Sequence, residues 1–271
     1  ENTGGFYVTV QSLDRDGNVL SEDTAASFNR MTITKRTGLT TAHLANVYMG
    51  LGAGISQDKV AKSGYYYAEK AKKLLLYSLW EMRWGMDHLM TTGESLDDTY
   101  EAVHIGRAVK NLCYQYDQIR DVPPELGGIT QAEENQIREH MYWIADTLMD
   151  TRYYDYTNET RRKHNYNADR SIGLLVFSVT FPYYHRAAEY YDHAVGELEW
   201  ILEHSVGADG GWPESTRYHV AVLNSMGFAA KVMERAKGEN WFENEKLRKM
   251  YDFMMRIQMP PDAAAAGIWK D

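Results

Sequence analysis

Residues 213–235 read PESTRYHVAVLNSMGFAAKVMER, which is the pattern of a helix with a marked beginning. Proline is well placed in a first helical turn because the N–H groups there have no partner within the helix. Apolar residues then recur at helical spacing. Stretches of the same kind, joined by short connections often marked by Gly or Pro, fill the chain from about residue 40 onward. The pattern predicts a mainly α fold, a succession of antiparallel helix hairpins with no strands between them.

The N-terminal residues have a different pattern. FYVTVQSLD at 6–14 and MTITK at 31–35 are rich in β-branched and aromatic residues, which favour strands. DRDGN at 14–18 is typical of a hairpin turn, whereas an EF-hand calcium loop would need an acidic residue where the chain has Ala25. We therefore predict a β-rich lead-in, or the end of a preceding module, over residues 1–38. One helical domain is predicted over 39–271, and periodicity alone leaves open whether it is an α/α toroid or an irregular helical array.

Composition limits the classes of partner. The net charge of −9 argues against nucleic acid, because phosphate binding needs a basic face, yet a local basic cleft can still bind an anionic ligand. The 20 Tyr and 7 Trp suit a surface that binds sugars or partners. No apolar run is long enough to span a bilayer, and we predict neither a metal nor a cofactor. The single cysteine, Cys113, is predicted to be a buried apolar side chain.

A stretch at 159–170, ETRRKHNYNADR, gathers cationic side chains just before an apolar helix. Its positively charged or titratable residues are Arg161, Arg162, Lys163, His164 and Arg170, with Asn165 and Asn167 among them. The positive end of the helix dipole adds to their potential, so the stretch is expected to attract a carboxylate or a sulfate. A solvated basic loop with an asparagine cap is the alternative.

A second stretch at 207–219, GADGGWPESTRYH, places polar groups at the beginning of another helix. With Pro213 in the first turn, Glu214 and Tyr218 are four residues apart and are expected to share one face. Such groups can move protons or hold an anion. The alternative is that Glu214 complements the helix dipole, Tyr218 packs, and Arg217 is a surface charge.

Together the two stretches resemble a known family. HNYNADRSIGLL at 164–175, followed by a helical hairpin and DGGWPESTRYHVAVL at 209–223, is similar to the toroid domain of the heparinase II/III-like polysaccharide lyases, a group that includes some alginate lyases. AVKNLCYQYDQI at 108–119 resembles an upstream helix of that domain, and LRKMYDFMMRIQMPPD at 247–262 resembles the helix and exit after the tyrosine. The resemblance covers roughly residues 60–262, and GGWPESTRYH is its most specific part.

The resemblance implies an incomplete (α/α) toroid and cleavage of a uronic-acid polymer by β-elimination. Tyr218 would take the C5 proton, return one to the departing glycosidic oxygen, or do both. His164 or Asn165 would neutralise the uronate carboxylate; the order HNYN is the reverse of the family's usual Asn-His, and His164 can instead be the base for the opposite stereochemistry. The substrate-binding residues implied are Asn167, Arg217, His219, Trp212, Glu214, Arg170, His104 and Tyr116.

The resemblance also implies a binding partner, a location and a further domain. The partner would be an anionic polysaccharide, the location secreted or periplasmic in a bacterium, and a β-sandwich domain would follow the toroid in the full protein, so that this chain is expected to be a fragment. Two other readings stay open. A toroid glycoside hydrolase needs two carboxylic acids, for which Asp169, Asp209 and Glu214 are candidates. A non-catalytic carbohydrate-binding or scaffold protein would not need the hydroxyl of Tyr218.

Overall fold

The computed structural model describes residues 7–13, 19–26, 42, 58–94, 96 and 100–257. Strands β1 (Tyr7–Leu13) and β2 (Val19–Ala26) pair antiparallel, with Tyr7 opposite Ala26 and an irregularity in register between Ser12 and Leu13. The turn expected at 14–18 and the strand expected at 31–35 lie outside the described residues.

The rest of the described chain is helical. Its α-helices are α1 (Asp58–Thr92), α2 (Ala102–Ile119), α3 (Gln131–Met149), α4 (Glu159–Arg162), α5 (Asn165–Thr180), α6 (Ala187–Ser205), α7 (Thr216–Lys237) and α8 (Glu245–Ile257). Short 3-10 turns lie at Pro124–Leu126 and Trp241–Glu243. The described residues from 58 to 257 contain no strand, so the prediction of a mainly α protein is confirmed.

The chain divides into two compact units. The first comprises Glu1–Tyr100 with Asn111–Ile144, and the second comprises Glu101–Lys110 with Ala145–Asp271. Helices α2 and α3 therefore each contribute to both units. The domain boundary predicted near residue 38 lies outside the described residues and stays a prediction.

In the first unit, sequence signals explain how α3 begins and where the cysteine lies. The backbone N–H of Thr130 donates to Glu133 Oε2 at 2.8 Å, and the N–H of Glu133 donates to Thr130 Oγ1 at 3.3 Å. This reciprocal capping satisfies two N–H groups that the helix cannot. Cys113 is fully buried, which confirms that it behaves as an apolar core residue.

In the second unit, α5 is the central element. Nearly all of its residues are buried, and it packs against α6 and α7. Two glycines let the first half of α2 approach its backbone: a Cβ on Gly106 would lie 2.3 Å from the carbonyl oxygen of Asp169, and one on Gly173 would lie 2.8 Å from that of Gly106. The two helices therefore touch backbone to backbone, which fixes the position of α5 and of the residues at its beginning.

Candidate functional site

The turn before α5 presents His164. Helix α4 is a single turn capped by Asn158, whose side chain accepts a hydrogen bond from the N–H of Arg161 at 3.2 Å. His164 then occupies the N-cap position of α5 with an extended backbone and makes no side-chain cap of its own. Its side chain is 50% exposed, so the imidazole is available for contacts outside the helix.

The loop before α7 has a defined shape. The N–H of Gly207 donates to the carbonyl of Gly211 at 2.9 Å, and Asp209 Oδ1 accepts from the N–H of Gly211 at 3.0 Å. Gly210 has φ of 92°, and a Cβ there would lie 2.0 Å from the carbonyl oxygen of Lys249, so only glycine fits. The loop is thereby held against α8.

Helix α7 begins later than the sequence indicates. Ser215 is its N-cap and accepts from the N–H of Tyr218 at 3.3 Å, so the first helical residue is Thr216. The prediction of a first turn at Pro213 is wrong by three positions, because the serine hydroxyl supplies the cap. Glu214 therefore lies in the loop and is not related to Tyr218 by a helical turn.

The two stretches that the sequence singles out meet at Glu214. Its Oε1 lies 3.5 Å from His164 Nδ1, and its Oε2 accepts from the indole N–H of Trp212 at 2.7 Å. Trp212 itself is buried. The indole hydrogen bond positions the Glu214 carboxylate. The imidazole of His164 lies within ion-pair distance of its other oxygen.

A pocket of about 380 Å³ opens beside this pair. Its lining combines two cationic or titratable nitrogen groups with two carboxylates, and comprises Glu159, Thr160, Lys163, His164, Pro213 and Glu214. Lys163 Nζ donates to Glu159 Oε1 at 2.6 Å. The pocket thus contains a proton carrier, His164, and a lysine whose charge is paired with Glu159.

Tyr218 lies in the first turn of α7 and is 44% exposed, and the neighbouring Arg217 is exposed as well. The backbone of Tyr218 is fixed by the Ser215 cap. Within the described residues, no hydrogen bond or ring contact joins the Tyr218 side chain to His164 or Asn165. The structure therefore brings the two stretches together through Glu214, and Tyr218 stands at the helix start that follows.

His219 has a different position from the one the sequence suggested. It is fully buried, its Nδ1 accepts from the backbone N–H of Trp212 at 3.1 Å, and its Nε2 lies 3.1 Å from the carbonyl oxygen of Met250. Nε2 carries the proton because Nδ1 is an acceptor, and burial lowers the pKa of the ring. With both nitrogens engaged, His219 fastens the loop to α8 and does not face a ligand.

Arg170 and Asn167 are likewise interior. Both are fully buried, and Arg170 donates to Asn167 Oδ1 at 3.0 Å, to the carbonyl of Leu148 at 2.8 Å and to His193 Nε2 at 2.9 Å. Burial lowers the pKa of Arg170 to about 10. The expectation that these two residues bind substrate is corrected by their position: they are structural.

Glu197 is a residue that sequence reasoning missed. It is buried on α6 and accepts from Arg162 at 3.0 and 2.6 Å and from Asn167 Nδ2 at 2.8 Å. Its two partners lie on either side of His164 in the chain, so Glu197 holds the turn that presents the imidazole. An acidic residue among the apolar positions of AVGELEWIL was the available signal.

The other predicted site residues divide by exposure. Asn165, the first residue of α5, is buried, which leaves His164 as the accessible one of the two candidate neutralisers. Tyr116 belongs to the first unit, is buried, and donates to Glu134 at 2.7 Å; burial and this bond raise its pKa to about 12. His104 is half-buried on α2 in the second unit.

The three carboxylates that were candidates for a hydrolase have different surroundings. Asp169 is buried and accepts from Arg107 at 2.7 Å and from Ser225 at 3.2 Å. Asp209 caps its own loop. Of these candidates only Glu214 lines the pocket beside His164.

Within the residues that the structure describes, no group of three His, Cys, Asp or Glu side chains could hold a metal ion. No helix in the described part of the chain is long and apolar enough to cross a membrane. Comparison with known protein families and with curated proteins finds no match to the chain.

Proposed function

We propose that the chain is the catalytic domain, an incomplete (α/α) toroid, of a polysaccharide lyase that cleaves a uronic-acid polymer by β-elimination. The observation that carries the proposal is the contact between His164 and Glu214, which joins the two stretches of the resemblance at one pocket. The proposal includes a secreted or periplasmic location, where such a polymer is met.

In the proposed reaction, the uronate carboxylate lies against His164 and Lys163. Tyr218, as the base, removes the proton on C5, and the electron pair left on that carbon forms the C4–C5 double bond while the C4–O bond breaks. The departing glycosidic oxygen takes a proton from the tyrosine. The products are a new chain end with a hydroxyl group and an unsaturated uronate.

Charge placement explains the choice of His164. Removal of the C5 proton puts extra negative charge on the carboxylate, so a donor aimed at that group binds the transition state more tightly than the ground state. His164 is half-exposed and held by Glu214, whereas Asn165 is buried. We therefore assign neutralisation to His164, with Glu214 and Trp212 as the residues that orient it.

Incubation with uronate polymers tests the proposal, with alginate, hyaluronan, chondroitin sulfate and heparin as separate substrates. The expected result is a rise in ultraviolet absorbance from the unsaturated product, which a His164→Ala variant does not give. Shorter chains without ultraviolet absorbance would indicate a hydrolase. Retention of polymer with no cleavage would indicate a carbohydrate-binding protein, and either result would contradict the proposal.

A further inference from the structure

The charges that line the pocket beside His164 are paired with one another. They belong to two carboxylates, Glu159 and Glu214, to the ammonium group of Lys163 and, when it is protonated, to the imidazole of His164. Lys163 Nζ donates to Glu159 Oε1 at 2.6 Å, and His164 Nδ1 lies 3.5 Å from Glu214 Oε1. Among the described residues that line the pocket, each nitrogen group therefore already has a carboxylate beside it.

The arginines near the pocket in the chain do not change this balance. Arg162 is paired with Glu197, to which it donates at 3.0 and 2.6 Å, and its guanidinium lies 4.1 Å from the centre of the Trp200 ring. Arg161 and Arg217 are exposed and lie outside the lining, where water and salt screen their charges. The pocket itself therefore carries no surplus of positive charge.

The lining carboxylates offer acceptors to hydroxyl groups. Glu214 Oε2 accepts from the indole of Trp212 at 2.7 Å, whereas Glu159 Oε2 makes no hydrogen bond within the described residues. An ionised carboxylate only accepts hydrogen bonds, so a sugar hydroxyl can donate to it. A sulfate ester has no proton to donate. Replacement of a hydroxyl by a sulfate in this pocket thus loses a hydrogen bond and adds a like charge.

A uronate without sulfate groups suits these surroundings. Its single carboxylate can be met by His164, which is half-exposed and able to carry a proton, while its hydroxyls donate to the glutamates. A second anionic group on the same sugar would face Glu159 and Glu214 without a cation of its own. Repulsion of the wrong ligand contributes to specificity as much as attraction of the right one.

We propose that the pocket selects uronate polymers that carry no sulfate groups, and that Glu159 is a residue that determines this specificity. Polymers such as alginate, hyaluronan and unsulfated chondroitin are then preferred over chondroitin sulfate and heparin. The inference rests on the proposed function for the uronate that occupies the pocket, and it deepens that function by naming the class of polymer.

Matched pairs of polymers test this inference. Chondroitin, heparosan and alginate are each compared, as oligosaccharides of equal length, with and without sulfate groups. Calorimetric titration of the full chain in a Tyr218→Phe background reports binding without interference from turnover. For at least one backbone, the unsulfated form should bind at least about fivefold more tightly than the sulfated form, as expected for like charges near a protein surface.

A substitution of Glu159 tests its role. Glu159→Gln keeps the shape of a side chain that is 74% exposed and removes one of the two negative charges, so the preference should fall to about twofold. Glu234→Gln is the matched control. Glu234 accepts from Lys231 at 2.6 Å within α7, a pair of the same kind outside the pocket, and its substitution should leave the preference unchanged.

The outcomes separate this inference from the lyase. Ultraviolet absorbance from the chain with intact Tyr218, together with equal or tighter binding of the sulfated forms, would support the lyase and overturn the selectivity. A preference for unsulfated forms that depends on Glu159, without absorbance from any polymer, would do the reverse. A preference unchanged in Glu159→Gln, or no binding of any polymer, would overturn the inference. Circular dichroism of both variants verifies that they are folded.

Discussion

Tyr218 has an exposed side chain on a fixed backbone, a combination that suits a residue that transfers protons. Tyr218→Phe keeps the ring and removes only the hydroxyl. We expect turnover of the uronate polymer to fall by at least about a hundredfold, the usual contribution of general acid–base catalysis. Retention on polymer should be unchanged, because the ring and the cations remain. A phenylalanine variant with a near-normal rate of absorbance increase would remove Tyr218 from the mechanism.

His164 and Asn165 are adjacent in the chain but differ in exposure, which separates their expected effects. His164→Ala should abolish most turnover with little change in unfolding, because its side chain is 50% exposed. Asn165→Ala removes a buried polar side chain, so its main effect should be on stability. Rates measured alongside urea unfolding curves for both variants test this assignment. It fails if Asn165→Ala loses turnover at unchanged stability while His164→Ala keeps it.

At the scale of elements, Glu197 ties α6 to the turn between α4 and α5. Glu197→Gln keeps the shape of the side chain but removes the charge that pairs with Arg162. The free energy of unfolding should fall by about 2 kcal/mol, less than for a fully buried pair because Arg162 is partly exposed. Urea unfolding measures the change. Glu199→Gln, on the exposed side of the same helix, is the control and should change stability little; equal effects would show that Glu197 has no special role.

The contact of α2 with α5 depends on glycine. Gly106→Ala would place a methyl group 2.3 Å from the carbonyl oxygen of Asp169, so one helix has to move. We expect a loss of at least about 2 kcal/mol, as for other overpacked sites. Gly196→Ala on α6 is the matched control, because a Cβ there meets nothing within 4 Å. That variant should be neutral or more stable by up to about 1 kcal/mol, and a similar loss in both would contradict the packing argument.

The helices were predictable because the spacing of their apolar residues and the residues that begin and end them are local features of the sequence. The Thr130 and Glu133 capping pair spans only four residues, and it lies at the beginning of α3. The beginning of α7 was misplaced because Pro213 and Ser215 are both acceptable starts, and only the hydrogen bond to Tyr218 decides between them.

The site was predictable only in part, because side-chain direction depends on distant contacts. The family resemblance implies that the stretches around His164 and Glu214 belong to one site, but it does not tell which of their residues turn inward. His219 is buried because α8 supplies the carbonyl of Met250, 31 residues away. Glu197 lies 35 residues from Arg162, and no local pattern links them. Residue type therefore identified the polar groups, and tertiary packing decided which of them are structural.

At the scale of the whole molecule, both units contain histidines that folding holds neutral. Burial lowers the pKa of His140 in the first unit, with Arg83 as a second cause, and burial also lowers the pKa of His219 in the second unit. Burial, followed by the charge of Arg170, lowers the pKa of His193 from 6.5 to about 4. Each ring is held by contacts that suit the neutral form, such as the hydrogen bond that His193 accepts from Arg170 at 2.9 Å.

These histidines predict acid sensitivity in a defined pH range. Below pH 6.5 His193 is protonated in the unfolded chain, whereas in the folded chain it stays neutral until about pH 4. The contribution of His193 to stability is therefore fully present above pH 6.5 and is lost as the pH falls toward 4. Carboxylates with a lowered pKa, such as Glu133, reduce stability only when the pH falls below their ordinary pKa of 4.5. Urea unfolding at pH 7.5 and pH 5 should therefore differ, with His193 contributing about 1 kcal/mol after allowance for its partial exposure. His193→Gln retains an acceptor for Arg170 without a titrating ring. The stability that this variant loses between pH 7.5 and pH 5 should therefore be smaller than the loss in the parent by that amount. An identical loss in the variant and the parent would show that His193 is not a source of the pH dependence.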